Sequence, residues 1–83
     1  MARLLFFGRL RDVAGAAQLE VSLPSSVRDV AGVRAWLAAR DDALGSALAE
    51  PGVRVAVDRS FADDGALVRG AQEVAFMSPL SGG

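Results

Sequence analysis

The chain has 83 residues, 52% of them hydrophobic and 23% charged, with nine basic residues against ten acidic and a formal net charge of −1. That length holds one small domain, at roughly 100–200 residues per domain, and the composition is too apolar and too balanced in charge for a disordered chain. Cys, His, Lys and Tyr are all missing, which excludes disulfides and Cys-ligated metal centres, the usual general base, and a Schiff-base or P-loop lysine.

The first element is the apolar run 3–7, too short for a stable helix and long enough for a strand. Leu4 and Phe6 fall on one face and Leu5 and Phe7 on the other, so the strand is either covered on both sides or offers one face to a partner. Gly8 and Gly15 bracket a segment with Leu10 and Val13, consistent with one helical turn. Residues 18–23 alternate strictly, with Leu19, Val21 and Leu23 inward and Gln18, Glu20 and Ser22 outward, which is a half-buried strand. Pro24-Ser25 ends it.

Ser26 is the expected N-cap of a helix over 27–39, with Asp29 three residues on. Val30, Val33 and Leu37 form its apolar stripe, Val27 and Trp36 lie at the edges, and Gly32 sits on the solvent side. Asp41-Asp42 offers a cap for a second short turn carrying Leu44 and Leu48, and Pro51-Gly52 stops it. Residues 53–57 form the next strand, with Val53, Val55 and Val57 on one face. A loop rich in Asp, Ser and Gly follows, with Phe61 standing alone in it, then an Arg69-Gly70 turn and a last strand over 73–77. One amphipathic helix covers one face of a sheet, so the later strands must return to the sheet that holds the first two. This α+β order fits the β-grasp, a mixed sheet with one main helix packed across it, better than a split βαβ fold, which needs two comparable helices; the expected domain covers 1–77, with an extended tail over 78–83.

The tail leaves the last strand through Ser78-Pro79, where the proline holds its predecessor extended, and loses all side chains at Gly82-Gly83. At an average glycine usage of about 7%, such an ending arises by chance roughly once in 200 chains, and most chain ends simply fray. A carboxylate behind two glycines, however, has no Cβ to block entry into a narrow tunnel, and glycine accepts whatever backbone conformation the tunnel imposes. An activating enzyme reaching that carboxylate with ATP would make it an acyl-adenylate open to sulfide, thiolate or amine.

Leu5-Phe6-Phe7-Gly8 with Arg11-Asp12 and Gly15, the strand Val55-Ala56-Val57-Asp58, the segment Glu73-Val74-Ala75-Phe76 and the ending Pro79-Leu80-Ser81-Gly82-Gly83 together resemble the small subunits of molybdopterin synthase. These form the MoaD-type branch of the ubiquitin-like sulfur carriers, and the resemblance spans nearly the whole chain in order. It implies that Gly83 is adenylated by an E1-like adenylyltransferase using ATP and Mg²⁺ and converted to a thiocarboxylate by a sulfur donor protein. The tail Pro79, Leu80, Ser81 and Gly82 then enters the active site of the large synthase subunit, where sulfur passes to cyclic pyranopterin monophosphate to build the molybdopterin dithiolene. It further implies a heterotetramer, a docking patch at Phe7, Phe61 and Met77, and no cofactor or metal bound by this chain, which contributes no catalytic side chain of its own. Three departures stand out: Ser78-Pro79 where the family has two prolines, Arg69-Gly70-Ala71-Gln72 in place of an Asp-Gly-Asp turn, and Met77 in place of a second aromatic.

Other readings start from the same ending. One is a related carrier for thiamin or cysteine synthesis, or one joined to protein lysines; another is a β-grasp interaction module whose Gly-Gly is incidental. Arg11 and Asp12 read as a solvated pair. Asp58, Asp63 and Asp64 lack a calcium-loop pattern, and Ser78 and Ser81 have no base to activate them. The missing Lys carries little weight, because a GC-rich genome would remove Lys, Ile, Asn and Tyr together. With no basic cluster, nucleic acid is not an expected partner. With no apolar stretch near the ~20 residues of a membrane span and no signal-peptide pattern, the expectation is a cytoplasmic protein.

Overall fold

The computed structural model describes residues 1–79. In chain order these form β1 (Ala2–Phe7), α1 (Arg9–Ala14), β2 (Gln18–Val21), α2 (Val30–Arg40), α3 (Asp42–Leu48), β3 (Arg54–Val57), β4 (Ser60–Ala62) and β5 (Glu73–Met77). The strands make one sheet in the order β2-β1-β5-β3-β4. β1 and β2 pair antiparallel, with Leu4 opposite Leu19. The chain then crosses the sheet through the helices, and β5 returns parallel to β1 at the centre, with Phe6 opposite Phe76. β3 pairs antiparallel on the far side of β5, with Val55 opposite Phe76, and β4 closes that edge. This mixed sheet with its crossing helix is the β-grasp that the element order implied.

Alternation along the two central strands decides which side is the core. Leu4, Phe6, Val74 and Phe76 are buried and join Val30, Val33 and Leu37 of α2 and Leu44 and Leu48 of α3 in one cluster. The Phe6 and Phe76 rings stack with centroids 6.0 Å apart and planes 14° apart, a pair adding about 0.5–1.5 kcal/mol beyond its area burial. Arg34 ties the layers together. Its guanidinium lies over the Phe76 ring at 5.7 Å, bonds Asp64 at 2.9 Å, and donates to the Leu48 carbonyl at the end of α3.

Four expectations change. The helix begins at Val30, not Val27, and its N-cap is Asp29, whose carboxylate accepts from the Gly32 N–H at 2.8 Å. Ser26 lies one turn too early, and Val27 is buried ahead of the helix. Gly32 is half-buried rather than on the solvent side, since a Cβ there would meet Asp29 Oδ1 at 3.2 Å and Val27 Cγ1 at 3.4 Å. Phe61 lies on a strand, β4, and not in a loop. The helical turn expected between Gly8 and Gly15 and the short turn after Asp41 are longer than one turn, as α1 and α3, and Asp41 caps the second as expected, accepting from the Leu44 N–H at 3.0 Å.

Candidate functional site

The face of the sheet turned away from the helices carries the residues that pairing brings together. Phe7 on β1 stands opposite Met77 on β5, and Met77 stands opposite Arg54 on β3. In the next row Leu5 faces Ala75, Ala75 faces Ala56, and Ala56 faces Phe61 on β4. Strand partners point to the same side, so Phe7, Met77 and Phe61 share one open face around a floor of two alanines. The exposures match this geometry: Phe7 is 50% exposed and Phe61 67%, whereas Phe6 and Phe76 on the inner side are 1% and 0%. An apolar face of this kind is a candidate interaction surface.

The three aromatic and sulfur side chains were legible in the sequence; Arg54 was not. It occupies the phase opposite to Val53 and Val55, which places it on the open face between Met77 and Phe61. Its guanidinium carbon sits 4.4 Å from the Phe61 ring centroid. The ion pairs formed among the described residues use Arg3, Arg9 and Arg34, so Arg54 has an aromatic neighbour there but no carboxylate.

The chain leaves this face at its edge through a fixed exit. Ser78 Oγ accepts from the Arg9 N–H at 3.1 Å and donates to the Phe7 carbonyl at 3.3 Å. This locks the residue after β5 onto the turn between β1 and α1. Pro79 lies against the Gly52 turn, where a Cβ would come within 2.9 Å of its ring. Arg9 Nη2 contacts both carboxylate oxygens of Glu50, at 2.8 and 3.0 Å, and so connects the two turns flanking the exit. Leu80, Ser81, Gly82 and Gly83 lie outside the described residues.

The remaining sequence candidates do not join this face, and Asp58, Asp63 and Asp64 among them hold the fold together. Asp58 accepts from the Gln72 and Glu73 N–H groups at 2.9 and 3.0 Å, Asp63 accepts from Gly65 N–H, and Asp64 pairs with Arg34. Trp36 is half-buried, with the Arg40 guanidinium 4.5 Å from its ring centroid. Arg11 and Asp12 are exposed on α1. Among the described residues no three His, Cys, Asp or Glu side chains are grouped to hold a metal, and no helix is long and apolar enough to cross a membrane. What the described surface offers is contact area and a directed chain exit.

A family model described as the ThiS family matches residues 4–83. None of the curated proteins is a match. Among solved structures, SAMP1 from Haloferax volcanii superposes with a TM-score of 0.82 at 23% identity, covering 99% of this chain and 98% of its own. A second structure, of the H. volcanii small archaeal modifier protein 1, gives 0.76 at 21% identity, covering 96% of this chain and all of that one. A Pyrococcus furiosus protein assigned as molybdopterin converting factor, subunit 1, gives 0.74 at 19% identity, with 95% and 97% covered. At these identities the three structures establish a common fold.

Proposed function

The chain belongs to the ThiS family of ubiquitin-like sulfur carriers, and on that premise we propose that it is the sulfur-carrier small subunit of molybdopterin synthase. Gly83 is adenylated by an E1-like partner with ATP and Mg²⁺, and sulfur from a donor protein displaces AMP to leave a thiocarboxylate. The large subunit receives the tail Pro79, Leu80, Ser81 and Gly82 and passes the sulfur to cyclic pyranopterin monophosphate. The cytoplasm, where the activating nucleotide and partners reside, is the site of this cycle.

The observation that carries this reading is one arrangement. The open face bearing Phe7, Met77 and Phe61 ends at the Ser78 exit, from which the sequence runs to Gly82-Gly83. A partner held on the face would find the reactive end within reach. The chain then needs no acid, base or nucleophile of its own, in keeping with the absence of His and Cys. Incubation with the activating enzyme, ATP and a sulfur donor, followed by intact-mass analysis, should register one oxygen replaced by one sulfur at Gly83. An unchanged mass with an enzyme proven competent on another carrier sinks the reading.

A second reading keeps the activation and changes the acceptor to a protein amine. The fold shared with the H. volcanii small archaeal modifier protein 1 favours it. Affinity purification of the chain from its own cells separates the two. Recovery with a synthase large subunit supports the first, and covalent adducts through Gly83 support the second.

A further inference from the structure

We propose that the partner seated on the open face supplies a carboxylate to Arg54, and that this charged contact at the centre of the apolar surface selects the partner. The proposal rests on the docking role given to this face above.

Arg54 sits in the same row as Phe7 and Met77 and its guanidinium lies over the Phe61 ring, so a partner that covers the three apolar side chains also covers the guanidinium. An arginine taken out of water without a counter-charge is costly. Among the described residues no carboxylate is paired with it: Asp63, which lines the same shallow depression, accepts from the Gly65 N–H instead. On the same face Glu73 is engaged with Arg3 at 3.5 Å, and in the loop beyond β4 Asp64 is engaged with Arg34. The ring lies 4.4 Å from the guanidinium carbon and offers its N–H groups no oxygen acceptor, so they suit a planar bidentate acceptor, the geometry a carboxylate matches. The ring also restrains the long side chain before binding, which lowers the ordering cost on association.

A second copy of this chain is a poor occupant. A two-fold contact centred on this face would bring two Arg54 side chains toward one another, and the carboxylate that the described residues place on the face, Glu73, is engaged with Arg3. The face therefore fits a partner whose apolar groove contains an acidic residue.

The test is calorimetric titration of the full chain with the large synthase subunit of the same organism, at low and at high salt. Arg54→Leu should weaken binding by about 30-fold or more at low salt and flatten the salt dependence. Arg54→Glu should weaken it further, and Arg54→Lys should restore part of it. Unchanged melting temperatures establish that the variants are folded. If Arg54→Leu binds as tightly as the wild-type chain or more tightly, the carboxylate is absent and the proposal is overturned. If the wild-type chain itself does not bind, the synthase reading fails and this proposal falls with it.

Discussion

Ser78 Oγ occupies the space that a Cβ on residue 8 would need. Gly8 has φ +65° and ψ −139°, a conformation that side chains resist, and its lack of a Cβ lets the hydroxyl reach the Phe7 carbonyl and the Arg9 N–H on either side of it. The glycine that turns β1 into α1 and the serine that ends β5 are one device. Together they fix where the tail begins. A proline at position 78, which the family pattern carries, would have no hydroxyl to make these bonds.

Gly8→Ala should destabilise the fold by about 1–3 kcal/mol, from backbone strain together with the overlap on Ser78. Ser78→Ala alone should cost about 1 kcal/mol for the lost hydrogen bonds. Because the alanine at 78 also removes the overlapping oxygen, the double variant should lose less than the two singles added together, a coupling that urea unfolding midpoints resolve. Strict additivity would mean that the two residues do not share this space.

The β3–β4 connection turns through Asp58 and Arg59, with φ of 47° and 72°. Val57 pairs with Ser60 across these two residues, which is the type I′ geometry normally served by Asn-Gly or Asp-Gly. Asp58 tolerates it because its carboxylate binds the Gln72 and Glu73 N–H groups leading into β5. Asp58→Ala should cost about 1–3 kcal/mol by leaving those donors without their acceptor. Arg59→Gly should stabilise by about 0.5–1 kcal/mol by relieving the left-handed backbone of a side chain. Thermal unfolding of both variants measures the two signs.

This hairpin marks the boundary of what could be read beforehand. The strands with a clear apolar phase were legible, with ends that differ by one or two residues, most at β2, which stops at Val21; so was the split of Phe6 and Phe7 between opposite faces, because period two leaves a side chain only two directions. β4 was hidden because its three residues sit between turn formers and its turn lacks glycine. The helix start was misplaced because both Ser26 and Asp29 are good caps, and only the tertiary position of Val27 in the core decides between them. The place of Arg54 is hidden for a different reason. A charged residue within an apolar alternation reads as solvent-facing, and nothing local reveals that its neighbours across the sheet are Met77 and Phe61.

Asp41 serves two helices, and its loss should be felt in both. Its N–H bonds the Leu37 carbonyl at the end of α2 at 2.9 Å, and its carboxylate caps α3 at the Leu44 N–H. Asp41→Ala keeps the first bond and loses the second, a change worth about 0.5–2 kcal/mol. Hydrogen exchange should therefore speed up in the first turn of α3 more than at the end of α2. Equal acceleration in both would mean that the two helices open as one unit.

Phe7, Phe61 and Phe76 should separate binding from folding. Phe76 is fully buried at the centre of the sheet, so Phe76→Ala should cost about 3–5 kcal/mol, a large share of the 5–15 kcal/mol that typically holds a domain together. Phe7 and Phe61 are half-exposed or more and contribute little to the core, so Phe7→Ala and Phe61→Ala should stay within about 1 kcal/mol of the parent in stability. If the open face is the docking surface, each should nevertheless weaken association with the large subunit by about 1–3 kcal/mol, as exposed aromatics at the centre of an interface do. Phe61→Ala should also loosen Arg54, since the ring beneath its guanidinium is lost. Its effect on binding should therefore be less than additive with that of Arg54→Leu. Paired melting curves and titrations test this directly. Variants that keep both full stability and full affinity would leave the face without a role in docking.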